Sequence, residues 1–485
     1  MFLPSPLVFL GAVLLGLACF LLRFGYRAHL PFYGIDTYWH LAVGRRIREA
    51  KYRIPSGSGL YSIEGKMDYP PLFLYFLALF PERWDRRLAH FLSPILDGLF
   101  ASLLTVAIYL LSGSLLGSLV GTSVFVLSPL LWREATYLSV RSFATFVFGL
   151  TFLVLIASGG KFDFLSGIAV ILCFAAVLLT HRMTTQALLL LVAIYILYTR
   201  EWQALLLLAL AYAVALLVAR QYFLKVVAGH IHHLRYFRKY AAPRLSPGFM
   251  TSSRARGRVF LTMVLPSHWT FLGALWFLLE YPLGLTPSLE ALLCLAFAVH
   301  LILIQTKTFG FLADDRIAGY GIFPAALLFG RLVTGVPGLA TLLWGIGLGV
   351  GVLGILLAWR SNVQKDREGQ NPFYVSPRLL DVSAFLTKRS ERSVLASAPY
   401  RNVQIAYFSG KRTGLVDTVL YEEEARDLFG HTKLTTEDLG RKYGFDLLVY
   451  ERREFEEKAR PNLELLYENE EFSVFRLRGP TSNTA

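Results

Sequence analysis

The chain has 485 residues, 55% of them hydrophobic and only 17% charged, with a mean hydropathy of +0.49. A soluble protein carries about a quarter charged residues, whereas here apolar runs of 16 to 22 residues recur, long enough to cross a bilayer, so the chain is an integral membrane protein. The surplus of 48 Lys+Arg over 34 Asp+Glu lies in loops beside those runs, which points to lipid phosphates and anionic donors and away from nucleic acid.

The first run, Leu7 to Leu22, lacks a basic leader and is expected to be a retained anchor. Directly after it comes Tyr33-Gly34-Ile35-Asp36-Thr37-Tyr38-Trp39-His40-Leu41. Trp39, Val43 and Ile47 recur every four residues while Arg45, Arg46, Arg48 and Glu49 fall elsewhere, the pattern of a helix lying on the membrane surface. Asp36 is therefore expected at the water–lipid boundary, where it suits an N-cap and a general base alike. His40 reads as a surface histidine or a ligand. Tyr52 to Lys66 is rich in Gly, Ser and Pro and leads to Asp68-Tyr69-Pro70-Pro71-Leu72. The paired prolines forbid a helix interior, so a fixed loop or re-entrant segment is expected, with Asp68 a solvated loop acid.

Further spans are predicted at 88–111, 114–131, 140–157, 164–180, 185–199, 203–219, 260–281, 287–305, 317–333 and 337–359, eleven with the first. Cys19, Cys173 and Cys294 lie inside such runs without CxxC or Cys/His spacing, so neither a disulfide framework nor a zinc site is expected. Counting spans puts the loops 128–141, 180–186, 220–268 and 305–316 and the tail on the side of Asp36. The loops 112–117, 158–163, 199–202, 280–288 and 331–337 fall opposite.

The polar motifs thus share one face. Tyr137-Leu138-Ser139-Val140-Arg141-Ser142 opens the fourth span, and Thr180-His181-Arg182 closes the fifth. His181 and Arg182 suit either snorkelling to the interface or contact with a phosphate. The loop from Arg220 to Arg258 carries eight Lys and Arg after Arg220, interleaved with Tyr236, Phe237 and Tyr240, and reads as a surface for anionic head groups. Asp314-Asp315-Arg316 opens the tenth span; an arginine entering an apolar run pairs or binds an anion, because leaving it bare in lipid is costly. From Ser361 the composition turns charged and mixed. Strands are predicted at Val394–Ala396, Val403–Tyr407, Leu447–Tyr450, Leu463–Tyr467 and Ser473–Arg476, with helices at Glu422–Phe429 and Thr436–Tyr443. The expected architecture is an α-helical polytopic domain (1–360) and a small soluble α/β domain (361–485) without a Gly-rich phosphate loop.

An acidic residue, aromatics and His-Leu directly after the first span resemble the first-loop signature of the GT-C glycosyltransferases, and most of all the oligosaccharyltransferase catalytic subunits. That resemblance implies a polytopic enzyme taking a sugar from a polyprenyl-phosphate or polyprenyl-pyrophosphate donor, in the cell membrane, with its active site facing away from the cytoplasm. The positive-inside rule would turn the basic face inward; phosphate-binding residues override it in this reading. The resemblance makes Asp36 and Asp68 the candidate catalytic carboxylates and His40, Tyr69, Arg141, His181 and Arg316 the candidate substrate contacts. It also implies a divalent metal, Mg or Mn. Two departures stand out: Phe143-Ala144-Thr145-Phe146 has no carboxylate where those subunits place metal-holding acids, and no Trp-Trp-Asp-Tyr-Gly occurs in the tail. The expected function is inverting transfer of a sugar to a glycan, lipid or protein acceptor, with Asp36 as base. The alternatives are transfer of a lipid-linked glycan to protein and a flippase or transporter of lipid-linked sugars.

Overall fold

The computed structural model describes residues 5–28, 30, 32–63, 67–236, 239, 264–304, 315–368, 371–416, 422–428, 434–452 and 462–477. In lipid every backbone N–H and C=O must be satisfied within its own segment, so the apolar runs become helices. In chain order they are α1 (Pro6–Gly25), a surface helix α2 (Asp36–Glu49), a short α3 (Leu72–Ala78), α4 (Asp85–Ser112), α5 (Leu115–Val126), α6 (Pro129–Ala135), α7 (Val140–Ala157), α8 (Phe164–Leu178), α9 (Arg182–Thr199), α10 (Gln203–Tyr236), α11 (His268–Glu280), α12 (Leu289–Leu303), α13 (Ile322–Gly335) and α14 (Pro337–Arg367). Each of the eleven predicted runs contains helix within the described residues, and the run 114–131 breaks into α5 and α6. Among those residues six helices are long and apolar enough to cross a membrane, and α5 with α6, bent by 58°, makes a seventh. The remaining four, α8, α11, α12 and α13, have 13 to 15 residues. Leu7, Leu14, Phe164, Leu217 and Leu353 point outward from the bundle, as lipid-facing side chains do.

Caps mark where the helices turn. Ser114, Ser128, Ser139, Asp163 and Ser288 each accept a backbone N–H in the first turn of the helix they precede, and Gly113 ends α4 in the left-handed region. Inside the bundle α5 and α13 approach closely: a Cβ on Gly117 would lie 2.3 Å from the Gly330 carbonyl oxygen. Phe323 packs in the centre, edge-on to Phe100 and tilted against Phe148. The guanidinium of Arg23 on α1 is neutralised within the bundle by Asp97 of α4 at 3.1 Å and by the carbonyls of Phe125 and Val126.

Among the described residues the loop contacts divide between two ends as span counting predicts. Asp36 meets Arg141 and Asp68 meets Arg182 at one end. At the other, Tyr198 donates to the Pro287 carbonyl, Arg331 pairs with Glu290, and Glu280 accepts from Ser288.

The apolar face of α2 does not rest on lipid. Val43 and Ile47 are buried against Met67, Leu74 and Ala78, with Trp39 at the margin, so α3 covers the stripe expected to meet the membrane. On its other side Tyr38 packs against Tyr407 and Phe408 of the tail. An apolar stripe along a helix dictates that the face be covered, and leaves open whether lipid or protein covers it.

The tail contains α15 (Pro377–Thr387), β2 (Ser393–Ala396), α16 (Pro399–Ser409), β3 (Arg412–Val416), α17 (Glu422–Leu428), α18 (Thr436–Tyr443), β4 (Leu447–Glu451), β5 (Leu463–Glu468) and β6 (Phe472–Leu477). Its strands form a six-stranded sheet with β1 (Tyr61–Ile63) from the first loop, in the order β1-β3-β2-β4-β6-β5. The first four strands run parallel, and β6 is antiparallel to both its neighbours. Val403–Tyr407, predicted as a strand, lies inside α16 instead. Its alternating Val, Gln, Ile, Ala and Tyr imitate a period of two, but Pro399 in the first turn and Gly410 at φ 69° bound a helix. Because β1 is the edge partner of β3, the tail sheet is completed by the loop that follows Asp36.

Candidate active site

Asp36 is the first residue of α2, with Ile35 in the cap position, so the capping role does not fall to it. Its carboxylate faces the Arg141 guanidinium at 3.6 Å and is 49% exposed. The turn before it is tightly specified. Gly34 has φ +111°, and a Cβ there would meet Thr37 Oγ1 at 2.1 Å. Thr37 Oγ1 donates to the Leu138 carbonyl at 2.8 Å, joining the start of α2 to the segment that launches α7.

Arg141 stands in the first turn of α7, where its backbone N–H is accepted by Ser139 Oγ. Its Nη1 binds Glu134 Oε2 at 2.8 Å and the Tyr137 hydroxyl, leaving Nη2 turned toward Asp36. Glu134 was not among the residues singled out in the sequence, yet together with Tyr137 it fixes Arg141. The available signal was a lone acid two helical turns before an arginine at the mouth of a span. A pocket beside this pair is lined by Glu134, Arg141, Thr145, His181, Gly319 and Tyr320 among others. His181 precedes α9 and is buried. Gly319 and Tyr320 belong to the short 3-10 helix Asp315–Gly321. Arg316 lies in the backbone of that turn, while its side chain is outside the described residues, as is Asp314.

Asp68 differs from the solvated acid expected. It is buried, its Oδ1 is 2.6 Å from Arg182 Nη2, and the Asp68 carbonyl also accepts from that nitrogen. Gly229 of α10 packs directly on it: a Cβ at Gly229 would lie 2.1 Å from Asp68 Oδ2. Tyr69 occupies the centre of the cluster. Its ring lies 5.2 Å from that of Trp39, 5.8 Å from His40 and 6.1 Å from His181, with Arg182 over its face. Tyr222 donates to its carbonyl.

His40 is likewise not a surface histidine. It is 3% exposed, packed among Trp39, Tyr69 and Phe73, and neither ring nitrogen has a hydrogen-bond partner among the described residues. Burial pushes its pKa down to about 4, so the imidazole is neutral at physiological pH.

For the expected divalent metal, Asp314 and the side chain of Asp315 lie outside the described residues. Among the described residues no three Asp, Glu, His or Cys side chains come together as a metal set. Asp36 and Glu134 both face the Arg141 guanidinium, which already supplies the positive charge between them. Of the basic loop, Arg238, Arg244, Arg254, Arg256 and Arg258 lie outside the described residues; Lys239 pairs with Glu422 at 2.5 Å, and His230 Nε2 meets Gln186 Nε2 at 3.0 Å.

No family model matches the sequence, and no curated protein matches it. Solved structures do match the fold. ArnT from Cupriavidus metallidurans bound to undecaprenyl phosphate superposes with a TM-score of 0.58 at 13% identity, covering 97% of this chain and 99% of that one. The Archaeoglobus fulgidus oligosaccharyltransferase in complex with Zn and sulfate superposes at 0.57 and 12% identity, covering 91% and 68%. The same enzyme tethered to an acceptor peptide containing the NVT sequon superposes at 0.55 and 11% identity. At these identities the likeness speaks for architecture alone: the chain is a multi-pass membrane protein with the fold of the GT-C glycosyltransferases.

Proposed function

We propose that the protein transfers a sugar from a polyprenyl-phosphate-linked donor to an acceptor hydroxyl, with Asp36 as the general base. The observation that carries this is the Asp36–Arg141 pair, 3.6 Å apart and half open, beside a pocket that His181 also lines. ArnT, whose structure holds undecaprenyl phosphate, shares the fold over nearly its whole length, which supports a lipid phosphate as the donor carrier.

In this reading the acceptor hydroxyl approaches the exposed oxygen of Asp36 and gives up its proton as its oxygen attacks the anomeric carbon. The bond from that carbon to the phosphate oxygen breaks, and polyprenyl phosphate leaves with the electron pair. Arg141, held by Glu134 and Tyr137, presents a fixed donor to the charge that develops on the phosphate. His181 lines the same pocket, and Arg316, one turn before Tyr320, is the proposed third phosphate contact. One carboxylate acting on the acceptor, with no enzyme nucleophile, gives direct displacement with inversion. In this reading the sugar lies against Tyr69, whose ring neighbours those of His181 and neutral His40. Asp68, closed against Arg182, holds Tyr69 in place. The site faces the extracytoplasmic side of the cell membrane in this proposal, and residues 361–485 act as its soluble domain.

The test is to supply purified protein in liposomes with polyprenyl-phosphate-[14C]sugar and candidate acceptors. The expected outcome is label on a new acceptor with stoichiometric release of polyprenyl phosphate. Label that crosses the bilayer still attached to its lipid would establish a flippase instead, and label on a sequon peptide would establish an oligosaccharyltransferase.

A further inference from the structure

The turn that launches Asp36 is held from a second direction, by the tail. The Gly34 N–H donates to the Phe373 carbonyl at 2.7 Å, and the Gly34 carbonyl accepts from Gln404 Nε2 at 3.3 Å. Gln404 lies in α16, fully buried, and the same amide nitrogen also donates to the Pro372 carbonyl at 3.1 Å. Its other end is equally constrained: Oε1 accepts from Arg401 Nη1 at 2.8 Å. Arg401 is itself buried, bonded to the Tyr374 carbonyl and, through Nε, to Glu451 at 2.8 Å. A guanidinium on one side and two carbonyls on the other leave a single orientation for the amide. The chain of bonds therefore runs from Glu451 at the end of β4, through Arg401 and Gln404, to a glycine two residues before Asp36. On the far side of Asp36, Thr37 is tied to Leu138, so the carboxylate sits between two anchors, one in the tail and one beside Arg141.

We propose that Gln404 and Arg401 are positioning residues that aim the Asp36 carboxylate, so that the tail is part of the catalytic apparatus and not a separable lid. This rests on the reading of Asp36 as the base. The physical reason is the steep dependence of proton transfer on geometry: a displacement of about 1 Å costs on the order of 10²-fold in rate.

The test is Gln404→Glu, which keeps size and the Arg401 partner but turns a carboxylate oxygen toward two carbonyl oxygens, with Gln404→Met as the uncharged companion. Transfer kinetics, undecaprenyl phosphate affinity and thermal unfolding in detergent are measured for both, with Asp36→Asn as the control. The expected result is kcat lowered on the order of 10²-fold, with donor KM and lipid-phosphate affinity unchanged and the protein still folded at the assay temperature in at least one variant. Wild-type kcat in both variants would overturn the proposal, and so would a loss of kcat matched in both by an equal loss of affinity or by unfolding at the assay temperature, the mark of a merely structural role. An active Asp36→Asn protein would instead sink the assignment of the base, whatever Gln404 does.

Discussion

Two acidic residues of the first loop each meet an arginine from a later helix, and the meetings differ. Asp68 and Arg182 stand 2.6 Å apart with side chains 3% and 14% exposed, sealed under Gly229. Asp36 and Arg141 stand 3.6 Å apart, and Asp36 is 49% exposed. A buried pair is costly to break, because removing one partner strands the other charge away from water. An open pair contributes little to stability. The closed pair is thus suited to holding the loop, and the open pair to meeting a substrate. The same residue types, thirty-two positions apart, are sorted by burial alone.

The largest expected effect tests the closed pair. Asp68→Asn should lower unfolding stability by about 3–5 kcal/mol, whereas neutralising Asp36 should move it by less than about 1 kcal/mol. Chemical denaturation in detergent measures both, and equal stabilities would erase the contrast. Next, the open pair is probed from its cationic side. The double variant Glu134→Gln, Arg141→Gln removes both charges, so no buried carboxylate is left alone. Its kcat should fall by about 10²–10³-fold, the usual worth of one fixed donor to developing oxyanion charge. A double variant that turns over normally would remove Arg141 from the chemistry.

The smallest effect concerns His40, packed between the two pairs. Its folded pKa of about 4 lies below the ordinary 6.5, so the unfolded chain takes up a proton that the folded protein refuses. Stability is therefore lost as pH falls from 6.5 toward about 4, by up to about 1.4 kcal/mol per pH unit. Replacing His40 with Phe should flatten that part of the stability profile, by about 1 kcal/mol near pH 5.5. An unchanged acid limb would mean that His40 gains a proton in the folded state.

Much of this arrangement was legible in the amino-acid order. Apolar runs of bilayer length become helices because lipid offers the backbone no other partner, and counting them puts Asp36 and Arg141 at one end. Long-range partners were not legible. Tyr61 pairs with Thr413 across most of the chain, and three residues of strand carry no signal of that destination. Val403–Tyr407 has a strand-like rhythm that Pro399 and Gly410 overrule. Glu134 and Gln404 were missed because each is a single polar residue whose meaning lies in what it touches, Arg141 in one case and the Gly34 carbonyl in the other.

The most direct measurement pairs turnover with donor affinity in Asp36→Asn. The protein should still bind undecaprenyl phosphate as the unaltered chain does, while sugar transfer falls by about 10²–10⁴-fold, the contribution of a positioned base. Transfer at an undiminished rate by that variant would contradict the account.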